Sequence, residues 1–243
     1  MNNFQRSFGF GGLPLVVKNL IIINVIVFIG SLLILAKNEY LYNLLIVHYF
    51  QSDLFRPHQL VTAIFMHASF GHLLGNMLGL WVFGSMLENV WGPKKFLIFY
   101  MVCGIGANVC DQVYLFFKYY SEIEHLQRQY ENARGILESE LILTRLAELK
   151  REALNYASLG ASGAVYGLIM GAALLFPNTE LYLYFMIPIK LKYLAIIYGV
   201  IEVVAAMNSG QYGDNIAHLV HLGGMLFGFI LIMIWKKDRQ RFY

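Results

Sequence analysis

Apolar residues in this chain fall in long unbroken blocks, without the alternation of strands or the one-sided stripe of soluble helices. Six blocks stand out, at 15–36, 69–90, 96–117, 159–176, 191–207 and 216–235. Each is about 17–22 residues long, the length at which an α-helix crosses a bilayer. In the first, Lys18 and Asn19 are expected at the interface, with the apolar core starting at Leu20. The pattern predicts an all-α polytopic membrane protein, with six transmembrane helices in one membrane domain over 1–243.

The exception is 118–157, an extramembrane helical insertion between the third and fourth helices. It mixes acids (Glu122, Glu124, Glu131, Glu138, Glu140, Glu148, Glu152) with bases (Lys118, Arg128, Arg134, Arg145, Lys150, Arg151). Leu126, Tyr130, Leu137, Leu141, Leu146 and Leu149 recur at an approximate helical period, and Gly135 is a natural break. One interrupted helix or a two-helix hairpin is expected. It reads either as a solvated spacer or as an element that gathers or gates substrate.

Composition agrees with the blocks. Hydrophobic residues make up 58% and charged residues 14%, against about 45–50% and about 25% in soluble domains. The eighteen lysines and arginines set the expected orientation. With the N-terminus inside, Arg6, Lys18, Lys94, Lys95, Lys190, Lys192, Lys236, Lys237, Arg239 and Arg241 all lie on short cytoplasmic stretches. Most of the others fall in the long insertion, which the positive-inside rule discounts. Both termini are therefore expected to be cytoplasmic. The first block is too long in its apolar run for a cleaved signal peptide, and no small-x-small site follows it. The net charge of +3 reports topology and gives no sign of nucleic acid as a partner. Cys103 and Cys110 lie seven apart on one helix, about 10 Å of rise, too far to bridge.

With an inner N-terminus, the second, fourth and sixth helices all start on the outer face. These are the helices that carry polar side chains near their starts. His72 and Asn76 share a face of the second. Ser162 is placed about one turn into the fourth, and His221 about a turn and a half into the sixth. Gly163, Gly167 and Gly171 stripe the fourth helix, Gly224 and Gly228 the sixth, and Gly75 and Gly79 the second. Such stripes let membrane helices approach at backbone distance, close enough for a short serine to meet a histidine. In that arrangement His221 takes the Ser162 proton as the oxygen attacks a peptide carbonyl. Oxyanion donors would come from the Ser162 backbone N–H, Asn76 and His72. Tyr166, one turn below Ser162, is placed to pack on His221. The loop 207–215 suits a mobile cap.

Each feature also has a plainer reading. Glycine stripes usually mean ordinary packing, and a membrane histidine is often a structural hydrogen bonder. His67, His72, His218 and His221 together suggest a metal, but no His-Glu-x-x-His is present and carboxylates are expected to be scarce nearby. No metal or cofactor is expected. Asp214 reads as a helix cap or a solvated acid, and Glu202 as a hydrogen-bonded or interfacial carboxylate without a catalytic role.

The string Gly160-Ala161-Ser162-Gly163-Ala164-Val165-Tyr166-Gly167, with His221 followed by Gly224 and Gly228, resembles the rhomboid intramembrane serine proteases. His67-Ala68-Ser69-Phe70-Gly71-His72-Leu73-Leu74-Gly75-Asn76, running on through Phe83-Gly84 to Glu88, agrees with it. Phe55-Arg56 resembles the family's Trp-Arg element, with a conservative change at Phe55. The resemblance covers about 55–117 and 158–235. It implies a six-helix rhomboid-like bundle and a Ser162/His221 dyad without a third acid. It also implies an oxyanion site of His72, Asn76 and the Ser162 backbone, with Tyr166 stacked on the histidine and Gly160, Gly163, Gly224 and Gly228 in support. The spacing to the glycine pair selects His221 over His218. Implied substrates are single-span membrane proteins cut near the outer face of the lipid bilayer, and a bacterial plasma membrane is the implied location. An inactive rhomboid-like protein that binds membrane clients, or a histidine-based metal-binding membrane protein, remains the alternative.

Overall fold

A computed structural model describes residues 12–34, 38–183, 186–208 and 215–239. Its helices are α1 (Leu15–Leu33), α2 (Glu39–Leu45), α3 (Gln59–Thr62), α4 (Phe70–Gly79), α5 (Ser85–Trp91), α6 (Pro93–Asn132), α7 (Ile136–Asn155), α8 (Ser162–Leu175), α9 (Leu191–Asn208) and α10 (Asn215–Arg239). A π-helical stretch, Leu80–Gly84, joins α4 to α5 in one span, Phe70–Trp91. Short antiparallel strands complete the chain: β1 (Val47–His48) pairs with β2 (Ala157–Ser158), and β3 (Glu180–Leu183) with β4 (Ile187–Lys190).

The architecture is a helical membrane bundle. Among the described residues, four helices are long and apolar enough to cross a bilayer: Leu15–Leu33, Phe70–Trp91, Pro93–Asn132 and His218–Lys236. On the membrane helices many large apolar side chains are left exposed, as a lipid-facing surface needs, such as Ile22, Ile26 and Leu33 on α1 and Ile196, Val200 and Val204 on α9. At one end of the bundle Trp91 and Trp235 pack edge to face at 5.2 Å, with Lys95 Nζ 4.2 Å from the Trp235 ring. An amphipathic aromatic cluster of this kind marks an interface.

Helix α8 is the centre. Gly163, Ala164, Val165, Gly167, Leu168, Ile169, Gly171, Ala172 and Ala173 are all buried, so it is enclosed nearly all round. Its packing with α10 is the most extensive between any two elements. A Cβ on Gly224 would overlap the Gly163 carbonyl oxygen, and one on Gly228 would lie 2.8 Å from the Gly167 carbonyl oxygen. The two backbones therefore touch, in parallel register, over two successive turns. On another side of α8, Val165 fills the space that a Cβ on Gly79 would need. Lipid gives helices no hydrophobic reason to associate, so this close van der Waals contact is the cohesive force.

Helices differ from the expected blocks at two places. The third does not stop near 117: α6 is 40 residues long, about 60 Å, roughly twice the hydrocarbon thickness. Its far half is one limb of a hairpin, broken at Ala133–Gly135, with α7 as the return limb. Tyr49, Leu115, Tyr119, Leu126, Leu149 and Ala153 form the hairpin's own core. Leu137 and Leu141, predicted to share that face, are 82% and 71% exposed; on α7 it is Ile142, Leu146, Leu149 and Ala153 that pack on this core, a face turned away from Leu141 by about a quarter to a third of a turn. The second difference is that α8 starts at Ser162, not at 159. The β1–β2 pairing holds 157–158 extended, and the Gly160 N–H is tied to the Ala63 carbonyl at 2.9 Å. Gly160 also has φ +134°, a conformation that resists a side chain. Ser162 is thus the first helical residue, at the very end of α8.

Polar side chains on α6 secure the loop between α1 and α4 and the segment before α8. Asn108 Nδ2 donates to the Leu60 carbonyl (2.9 Å), Gln112 Oε1 accepts from the Phe50 N–H (2.8 Å), and Asp111 accepts from the Tyr156 hydroxyl (3.2 Å). Gln59, fully buried, donates to the Asn43 and Leu54 carbonyls at 2.9 Å. At the opposite end, both Glu88 oxygens accept backbone N–H groups of Val16 and Val17 (2.9 and 2.8 Å), capping α1.

Gly224→Ala tests the backbone contact. With backbone on both sides and no flexible side chain to yield, it should destabilise the protein by about 2 kcal/mol or more. Thermal melting in detergent would read this, and Gly199→Ala, where the nearest atom lies 3.6 Å away, should have little effect.

Candidate active site

Ser162 sits at the start of α8, where the first N–H groups of a helix lack intrahelical partners. No side chain caps this end. A Cβ on Gly160 would lie 2.8 Å from His72 Nε2 and 3.7 Å from Ser162 Oγ. The His72 ring, the Gly160 backbone and the serine hydroxyl therefore border one small space. Ser69 caps α4 by accepting from the His72 N–H at 3.1 Å, which holds His72 in the first turn. Asn76 is buried one turn further on, and its Nδ2 has no hydrogen-bond partner among the described residues. Gly79 meets Val165, so Asn76, three residues before Gly79, is level with Ser162, three before Val165. A buried, unspent amide donor on that level suits an oxyanion.

His221 enters from α10. A Cβ on Gly163 would be 3.5 Å from the Val220 carbonyl, so the residues next to Ser162 and His221 touch. The Tyr166 ring stacks on the imidazole, with centroids 4.1 Å apart and planes 6° from parallel. The structure thus brings Ser162, His221, His72, Asn76 and Tyr166 to one end of the α4–α8–α10 contact, with Gly160, Gly163, Gly224 and Gly228 at the approach points.

One contact of the site was not legible in the sequence. Glu202 of α9, 4% exposed, lies 3.0 Å through Oε1 from His221 Nδ1 and 2.6 Å through Oε2 from His218 Nδ1. Oε1 also accepts from the Tyr166 hydroxyl. The expectation that carboxylates are scarce near these histidines is corrected here. Glu202 is 16 and 19 residues away in sequence but reaches across from an adjacent helix. The only signal available was an acid inside an apolar helix, which calls for a partner. Glu202, His218 and His221 place ligand atoms within 4.8 Å of one another, a spacing open to a metal ion. His67 and His72 form a separate ring pair, 5.1 Å apart. Asp214 and most of the suggested cap lie outside the described residues.

The model of the rhomboid domain matches residues 54–237. The chain belongs to the rhomboid family. Among rhomboid relatives, RHOMBOID-like protein 12, mitochondrial, of Arabidopsis thaliana is 29% identical over 77% of this chain and 49% of its own length. Rhomboid protein 1, mitochondrial, of Saccharomyces cerevisiae is 27% identical over 75% of this chain and 44% of its own. "Putative rhomboid protease YdcA" of Bacillus subtilis is 26% identical over 76% of this chain and 70% of its own. The matched region spans about half the length of the first two. Membership makes this an integral membrane protein of a family of intramembrane proteases, and these relatives come from mitochondria as well as from a bacterium.

Just before α4, His67 is 4% exposed, and burial beside the His72 ring pushes its pKa from 6.5 down to about 4. The folded state favours neutral His67, so its contribution to stability is complete above about 6.5 and drains away as pH falls towards about 4. Melting temperatures measured across that window should fall, and His67→Asn should flatten the trend.

Proposed function

We propose that this rhomboid is an intramembrane serine endopeptidase, a hydrolase that cuts transmembrane segments of single-span membrane proteins near the outer leaflet. The observation that carries the reading is the stack of Tyr166 on His221 beside an uncapped Ser162 at the α8–α10 backbone contact. Ser162 Oγ attacks the scissile carbonyl as His221 Nε2 removes its proton. The oxyanion is received by the Ser162 N–H, the Asn76 amide and His72, and His221 then returns the proton to the leaving amine.

Helix length supports this depth of reaction. At 14 residues α8 covers about 21 Å of a hydrocarbon core about 30 Å thick. Its N-terminal serine therefore lies within the membrane when its other end meets the interface. Lysine and arginine placement supports cytoplasmic termini and a site open to the outer face. The α6–α7 hairpin projects on the same side as Ser162, since β1–β2 joins its base to the residues before α8; we assign it to substrate handling.

Ser162→Ala and His221→Ala should each reduce cleavage of a reconstituted transmembrane substrate by at least about a thousandfold. Undiminished cleavage by either variant would sink the assignment and leave the client-binding or metal readings. Shortening the hairpin should change which substrates are cut while Ser162 still reacts with a small fluorophosphonate; lost labelling refutes its assignment to substrate handling.

A further inference from the structure

We propose that Glu202 is the positioning carboxylate of His221, extending the Ser162/His221 pair to a serine–histidine–glutamate triad. The inference rests on the reading of Ser162 as nucleophile and His221 as base. Glu202 is almost wholly buried on an apolar helix, where an unpartnered carboxylate is severely destabilising. It has three partners: His221 Nδ1 at 3.0 Å and the Tyr166 hydroxyl on Oε1, and His218 Nδ1 at 2.6 Å on Oε2. An ionised carboxylate only accepts hydrogen bonds, so each of these groups is a donor.

The consequence for His221 is specific. A proton held at Nδ1 leaves the lone pair on Nε2, the tautomer a base needs in order to take a proton from Ser162. Stacking on Tyr166 fixes the plane of the ring, and the Glu202 bond fixes its rotation within that plane. Tyr166 serves both constraints, since its ring covers His221 and its hydroxyl holds the same oxygen that His221 uses. When Ser162 attacks, its oxygen bonds to the carbonyl carbon and the carbonyl π pair moves to oxygen. The Ser162 proton passes to Nε2, and the resulting imidazolium faces Glu202, which keeps its negative charge throughout. His218, whose ring is 6.4 Å from that of His221, secures the second carboxylate oxygen. That accounts for a histidine to which the dyad gives no task.

Steady-state cleavage and histidine nitrogen NMR of the full chain in detergent test this. Glu202→Gln should lower kcat by about a hundredfold or more, with KM within about twofold and the melting temperature retained. Glu202→Asp should recover at least about tenfold of that loss. In the unaltered protein His221 should appear as the single Nδ1–H tautomer, a readout that needs no variant to fold. A kcat for Glu202→Gln within about threefold of the parent, or an Nε2–H tautomer in the parent, would overturn the triad. So would chelator-sensitive activity restored by zinc, which would make the three side chains metal ligands. Normal cleavage by Ser162→Ala would instead remove the nucleophile reading beneath it, so the two failures are distinguishable.

Discussion

The backbone contact of α8 with α10 is the constraint on which the rest depends. A serine side chain extends only one bond beyond Cβ, so it meets an imidazole on another helix only where the helix axes nearly touch. Gly163 against Gly224 and Gly167 against Gly228 permit this over two turns. Neighbouring contacts follow the same logic. Cys103 fills the space beside Gly167, and Cys110 that beside Gly223, so the two free thiols act as small apolar wedges. The helix pair is thereby clamped against α6.

Several polar groups inside this bundle have local partners. Asn24 and Ser31 return hydrogen bonds to their own helix, at the Leu20 and Phe28 carbonyls. Asn108, Asp111 and Gln112 hold the loop between α1 and α4 and the segment before α8, and so indirectly set where α8 begins. Glu88 caps α1 at the other end. Against this background the spare donor of Asn76 and the crowded carboxylate of Glu202 are complementary. One is a group left free for a ligand, and the other is a group whose partners leave it no freedom.

The hairpin shows what the bundle does not need. Its core of Tyr119, Leu126 and Leu149 is separate from that of the membrane helices. Its surface ion pairs, such as Arg145 with Glu122 at 3.5 Å, are exposed and contribute little to stability. It is attached rigidly, because α6 runs without interruption from the membrane into its first limb. Motion of the tip relative to the site is thus limited to bending of one continuous helix.

What could be read along the chain and what could not divide along a physical line. Block length and composition identify a helical membrane protein because the cost of exposing polar backbone to lipid acts on each segment separately. The match between small-residue stripes and nearby polar positions pointed to Ser162, His72, Asn76, Tyr166 and the histidines of the last helix, since periodicity on one helix is a one-dimensional property, and the family resemblance chose His221 over His218. The true start of α8 was hidden, because it depends on a strand pair and a hydrogen bond to Ala63, residues far apart in sequence. The face that α7 turns to the other limb was hidden for the same reason: Ile142 and Leu146 pack on the hairpin core while Leu137 and Leu141 stay exposed. Glu202 was visible as an acid in an apolar helix, but its target was not. Which side chain a buried carboxylate meets is set by the rotation and depth of α9 against α10, and no pattern within either helix encodes that relation.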